Sequence, residues 1–335
     1  MLTSADESFS HQLVAPAART AHESPAWAER CYHLLHLGGA VVLHAGRAIY
    51  PHDGRRTGFA GLTTGDVQQV LRLAAPFAPG DDREDPTVGG LRIEAVRPLE
   101  AVRLILEEPG CPLAFDLTYE ARFPPVATEP NRIERDGVVV TDYMNFFQSG
   151  LYSGTVALDG TEHQVRERAG FRDRGWGLRK HEGAPRRGLV VACFCELPDA
   201  ALYAILYESS SGRRAFTNGW WIDAAGVAPI TAVEHELEWD GTLLTGGALE
   251  LETAGGRRRL ELRVEGRLYL ATAGYSADPE RARPGGERHD VTRPEVVAAL
   301  DGQNDNACAF ELDDGRRGHG YVETGLGVHA RYRPE

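Results

Sequence analysis

The sequence is short of positive charge, of long apolar runs, of paired cysteines and of helical periodicity, and each shortage removes a class of function. The formal net charge is −13. Affinity for phosphate backbones is built from clustered Lys and Arg, so nucleic acid is not an expected partner. Local basic runs such as Arg257-Arg258-Arg259 follow Gly255-Gly256 between strand-like stretches, where a solvated hairpin end is expected. Apolar stretches such as Leu189 to Phe194 fall far short of the roughly 20 residues of a membrane helix, so no membrane span is predicted. The opening residues carry Asp6 and Glu7 and no continuous apolar core, which argues against a cleavable signal peptide and makes the cytoplasm the expected compartment. The five cysteines, Cys31, Cys111, Cys193, Cys195 and Cys308, are odd in number and scattered, as buried free thiols are. They and the histidines show no zinc-ligand spacing, and no metal is expected.

Helical pattern is scarce. Arg293 to Leu300 reads as a turn or two of helix with Pro294 near its start, and Thr64 to Leu73 is open between a short helix and a strand. Without alternating strands and helices, and without a Gly-rich phosphate loop, a doubly wound nucleotide fold is excluded. Ser209-Ser210-Ser211-Gly212 is no Gly-x-Ser-x-Gly elbow, so serine-hydrolase chemistry has no support.

What is present is strand, turn, strand. Period-two alternation recurs in segments such as Arg30 to Leu37, Leu113 to Arg122, Val138 to Phe147, Leu189 to Glu196 and Gly320 to Glu323. Asp136-Gly137, Asp159-Gly160, Asp240-Gly241 and Asp314-Gly315 stand between such runs, where Asp-Gly favours tight hairpins. The fold class is therefore all-β. The strands exceed what one up-and-down barrel holds, so two antiparallel barrels or half-barrels packed side by side are predicted. The stretch His181 to Gly188, rich in Gly, Pro and charge, suggests domains of residues 1–185 and 186–335.

The most unusual segment is Gly170-Phe171-Arg172-Asp173-Arg174-Gly175-Trp176-Gly177-Leu178-Arg179, preceded by Gln148-Ser149-Gly150. Asp173 can pair with Arg172, Arg174 or Arg179 in charge-assisted contacts, giving a rigid polar knot on which Trp176 packs. An Arg-Asp-x-x-Trp-Gly segment after paired strands, here Arg172, Asp173, Trp176 and Gly177, resembles the lipocalin-like superfamily of hydroxyneurosporene synthases (carotenoid hydratases), AttH-like proteins and fungal decalin-forming Diels-Alderases. Similar bacterial proteins carry a Gln-Ser-Gly segment upstream, as at Gln148 to Gly150, and an early Trp-x-Glu before an aromatic strand, as at Trp27, Glu29 and Tyr32. The resemblance implies two lipocalin-like domains with a mostly apolar pocket in one of them or between them. It also implies chemistry without metal, nucleotide or flavin: hydration, cyclisation or isomerisation of terpenoid or polyketide chains. No cofactor is then expected, and the partner is a hydrophobic small molecule. The alternative is a non-catalytic carrier or sensor of such a ligand.

The candidate catalytic residues are Asp173, Arg172 and Trp176. Asp173 is either a general acid with a desolvated carboxyl or an ionised tie between arginines, and the structural role is the one expected. Tyr143, Asn145 and Phe147 share one strand face, and Gln148 lies on the other; all four are candidates for substrate binding, as polar groups set among aromatics. Arg179, His181 at a cleft rim, Trp221 and Glu323 complete the substrate-binding set. Trp220 and Trp221 cannot both face one pocket, because successive strand residues point to opposite sides.

Overall fold

The computed structural model describes residues 2–11, 24–78, 80–135, 138–179, 187–270 and 282–334. The first unit contains β1 (Trp27–Gly38), β2 (Val41–Tyr50), β3 (Arg55–Thr63), β4 (Val67–Pro76), β5 (Thr87–Val88), β6 (Leu91–Arg97), β7 (Ala101–Leu106) and β8 (Leu113–Ala121). Short β9 (Val126–Ala127) and β10 (Asn131–Arg135) lead to the long pair β11 (Val138–Leu158) and β12 (Thr161–Arg179). The second unit runs through β13 (Leu189–Glu196), β14 (Ala200–Glu208), β15 (Arg214–Asp223), β16 (Gly226–Asp240), β17 (Leu243–Thr253) and β18 (Gly256–Tyr269). Then come β19 (Glu287–Asp290), helix α1 (Pro294–Leu300), β20 (Gln303–Leu312) and β21 (Arg317–Leu326). The segment left open between helix and strand is therefore the strand β4, and the short helix forms where it was expected.

β13 to β18 close with β20 and β21 into an eight-stranded barrel. The first unit is a curled sheet in the order β19-β4-β3-β2-β1-β12-β11-β8-β7-β6-β5, with β9 and β10 on β11. The all-β, lipocalin-like architecture is thus the fold of this chain. The expected boundary near residue 185 falls in 180–186, outside the described residues, as does the Asp136-Gly137 turn. β19 pairs with β4, so the first sheet includes one strand from beyond residue 186.

Burial along each strand tells which faces are covered. β8 alternates buried and exposed residues through Leu113, Phe115, Leu117 and Tyr119, the signature of one covered face. β13, Leu-Val-Val-Ala-Cys-Phe-Cys-Glu, is buried almost throughout. Its Val191, Cys193 and Cys195 fill the barrel, while Ala192 and Phe194 pack outward against Tyr32, Leu34, Phe147 and Phe171 of the first sheet. The two units are therefore joined through an apolar interface, in which each fully buried aromatic contributes about 1.5–3 kcal/mol.

Candidate active site

The glycines around Trp176 do two different jobs. A Cβ on Gly175 would lie 2.1 Å from the Tyr143 hydroxyl, so a side chain there would push Tyr143 out of its place across the strand. Gly177 has φ +128 and approaches the Asp142 carbonyl so closely that a Cβ would lie 2.3 Å from it, a backbone state that only glycine adopts readily. The segment thus leaves room for Tyr143 of β11, which lines the same space as Asp173 of β12 at the edge of the inter-unit interface.

There the apolar seam opens into a cleft of about 80 Å³. Tyr32, Tyr143, Asn145, Phe147 and Asp173 wall it from the first sheet, and Phe194, Tyr203, Tyr207, Tyr321 and Glu323 from the barrel. The aromatic walls are stacked: Phe147 lies 4.0 Å from Tyr203, and Phe194 lies 4.4 Å from Tyr321, between ring centroids. A smaller adjoining space of about 30 Å³ shares Tyr32, Tyr143 and Asp173 and is bounded also by Arg30, Arg47 and Phe59.

The polar groups follow from strand register. Tyr32 stands directly opposite Asp173 across β1 and β12, and Asp305 stands directly opposite Glu323 across β20 and β21. Two carboxyl side chains facing each other across a ladder destabilise a sheet, so this pair is a cost to the fold. Asp305 is fully buried. The Tyr32 hydroxyl donates to Asp305 Oδ2 and lies 3.1 Å from His44 Nδ1. Burial, then the charges of Glu323 and Asp173, push the Asp305 carboxyl well above the ordinary carboxylate range, against the pull of the Tyr32 hydrogen bond. Burial and the neighbouring Asp305 likewise hold Tyr32 well above the usual phenol range. His44 is pushed down to about 3 by burial, with the Arg72 charge adding. Burial thus favours the uncharged form of each member of the chain imidazole, phenol, carboxyl.

A second buried carboxyl sits farther along the same interface. Glu196 accepts from Ser149 Oγ at 2.8 Å and from Arg122 Nη1. Burial outweighs both, and its carboxyl is pushed up to about 8.

The structure divides the predicted site residues between two faces. Asp173, Tyr143, Asn145, Phe147 and Glu323 line the cleft. Arg172, Arg174 and Trp176, at alternate positions of β12, face the other way, into the hollow of the first sheet. The polar knot is accordingly corrected. Arg172 is clamped by Glu7 at 2.7 and 2.8 Å, and Arg174 meets Glu29 at 2.7 Å. Gln148 is also on that face, bonded to Arg172 at 2.6 and 2.9 Å, and so stands apart from the cleft. Trp176 stacks on His11 at 3.8 Å. Trp221 points into the barrel core, where its indole donates to Asp223; Trp220 is the one that packs toward the interface, stacked on Tyr203. Arg179 pairs through its backbone with Thr141; its side chain and the whole of His181 lie outside the described residues. Asp305, His44 and Glu196 had no signal that singled them out, although Asp305-Asn306-Ala307-Cys308-Ala309-Phe310 alternates such that Asp305 shares a face with Ala307.

Residues 16–282 match the family described as Domain of unknown function (DUF7064). The chain belongs to that family. No curated protein matches it in sequence. Among solved structures, it is similar to the AttH-like protein NE1406 of Nitrosomonas europaea, at 14% identity and TM-score 0.59 over 92% of this chain and 95% of that one. It is also similar to kievitone hydratase of Nectria haematococca, at 12% identity and TM-score 0.53 over 95% of each chain. CghA matches at 14% identity and TM-score 0.54 over 92% of this chain and 90% of that one. These likenesses show that the DUF7064 chain shares its fold with the AttH-like protein, kievitone hydratase and CghA.

Proposed function

We propose that this chain is a cofactor-independent enzyme, a cyclase, hydratase or isomerase, that transfers a proton to a hydrophobic terpenoid- or polyketide-like molecule in the cleft between its two units. The observation that carries the reading is the convergence of Asp173, Glu323 and the buried Asp305 with Tyr32 at an aromatic-walled cleft, at a cost to sheet stability. Kievitone hydratase, a structure of similar fold, is by its name a hydratase, which supports the reaction class. Tyr32, at the cleft wall, gives its hydroxyl proton to the substrate, and the carboxyl of Asp305, until then the acceptor of that hydroxyl, replaces it; Asp173 and Glu323 are the carboxylates within reach of the reacting atoms. Protonation of an alkene or carbonyl leaves a cationic centre that the Asp173 and Glu323 carboxylates stabilise. Capture by water gives hydration, capture by an internal alkene gives cyclisation, and proton loss to a carboxylate gives isomerisation. Each route returns the proton to solvent or to the cluster, so no external oxidant or reductant is required.

The cleft of about 80 Å³ is smaller than the roughly 300–1,000 Å³ of a small-molecule site, so binding a natural-product-sized ligand requires its walls to part. The test is incubation with a panel of polyenes, enones and chalcone-like compounds in heavy water, read by mass spectrometry. Incorporation of deuterium or addition of one water, lost in Tyr32→Phe and Asp173→Asn, is the expected result. A compound that binds tightly but is recovered unchanged and unlabelled would make the protein a carrier instead.

A further inference from the structure

The hollow of the first sheet, on the face away from the cleft, holds a second constellation. Arg47, Arg172 and Arg174 are all buried, and two buried carboxylates, Glu7 and Glu29, answer them. Glu7 belongs to no strand: it ends a short turn, Ser4–Glu7, in the segment 2–11 that lies in the mouth of the hollow. That segment is held by side-chain contacts. Phe9 is sandwiched between the guanidiniums of Arg47 at 3.7 Å and Arg174 at 3.9 Å. The Phe9 amide and Ser8 Oγ donate to Glu84, and the His11 ring meets Glu29 at 2.8 Å. Beside Glu7 lies a cavity of about 220 Å³, bounded by Arg47 and Arg172, by His33 and Cys31, and by apolar Ile93 and Val102. Arg47 Nε is buried there without a hydrogen-bond partner among the described residues, although buried donors are normally satisfied.

We propose that this cavity is a binding site for a small monocarboxylate, whose carboxylate displaces Glu7 from Arg172 and meets the unpartnered Arg47 Nε, while its hydrocarbon part fills the space against Ile93 and Val102. A cavity of roughly 150 Å³ admits benzene, so this one fits an aryl or short-chain acid. Bidentate guanidinium contacts are what carboxylates require, and Glu7 already shows the pose. The acids Glu84 and Glu94 also line the space, which disfavours a second negative charge and therefore a phosphate or dicarboxylate. Burial and the nearby Arg172 keep His33 neutral, so it adds no competing cation. Exchange frees the segment 2–11, unstacking His11 from Trp176.

The probe is benzoate, titrated by calorimetry into the intact protein and into Glu7→Gln, which removes the competing charge at nearly the same size. Benzoate should bind Glu7→Gln at least tenfold more tightly than wild type, and neutral benzamide should not bind. Phe9→Ala loosens the same segment without altering charge and should also tighten benzoate binding. In wild type, benzoate should change tryptophan emission through Trp176. Absence of benzoate binding to folded Glu7→Gln and Phe9→Ala, or equal binding of benzamide, would overturn the proposal. The readout is independent of any turnover in the cleft.

Discussion

Asp305→Asn tests the buried acid cluster through stability alone. In the unfolded chain this carboxyl titrates at about 3.9, whereas in the folded protein burial and the charges of Glu323 and Asp173 raise it well above that range. The unfolded state therefore loses the proton first. Its contribution to stability is fully present below about pH 4 and is lost as pH rises toward the folded value. As pH rises above 4, wild type loses up to about 1.4 kcal/mol per pH unit that an asparagine variant keeps. One oxygen of Asp305 is buried without a partner among the described residues. An amide there leaves a polar atom equally unsatisfied, so that cost is common to both proteins and cancels. The variant should thus gain stability on wild type as pH rises from 4 to 7 and hold no advantage at pH 4. Urea unfolding followed by circular dichroism across that range measures both curves. Parallel curves for the two proteins would refute the reasoning, because they would mean that Asp305 titrates alike in both states.

Asp173→Asn should lose about 10²–10⁴ in turnover on whatever substrate the labelling screen yields, with urea unfolding as the control; a large drop in stability would return Asp173 to a structural role. Arg172→Ala leaves the Glu7 carboxylate buried without its partner and should cost about 3–5 kcal/mol, measured as a shift of the urea midpoint. His44, pushed down to about 3, and His319, pushed down to about 4 by burial and then by Arg168, remain neutral in the fold. Stability should be full above about pH 6.5 and fall as pH drops toward those values, and His319→Phe should lessen that acid sensitivity in thermal melts.

The strand pattern was legible because it reports burial directly. Leu113, Phe115, Leu117 and Tyr119 are buried at alternate positions, and β13 is apolar as far as Cys195 because both of its faces are covered. The face shared by Tyr143, Asn145 and Phe147 followed from the same rule and meets at the cleft. The polar knot holds in part, since Arg174 does pack over Trp176 at 5.9 Å, but adjacent charges on a strand point apart, so Arg172 and Arg174 take their carboxylates from Glu7 and Glu29, distant in sequence. Nothing local marks those partners. Asp305 was equally invisible, since its effect comes from a cross-strand neighbour and from a sheet of the other unit.

The pairing of β19 with β4 has a consequence for synthesis. Until residues 287–290 leave the ribosome, β4 offers an unpaired edge, the kind of edge that captures strands from other chains. At roughly 5–20 residues per second, the interval between making the two strands is about 10 to 40 s. Arg72, on β4, is joined to Glu287 at 3.1 Å, so the nascent edge carries a charge of its own until its partner arrives, a natural gatekeeper against premature pairing.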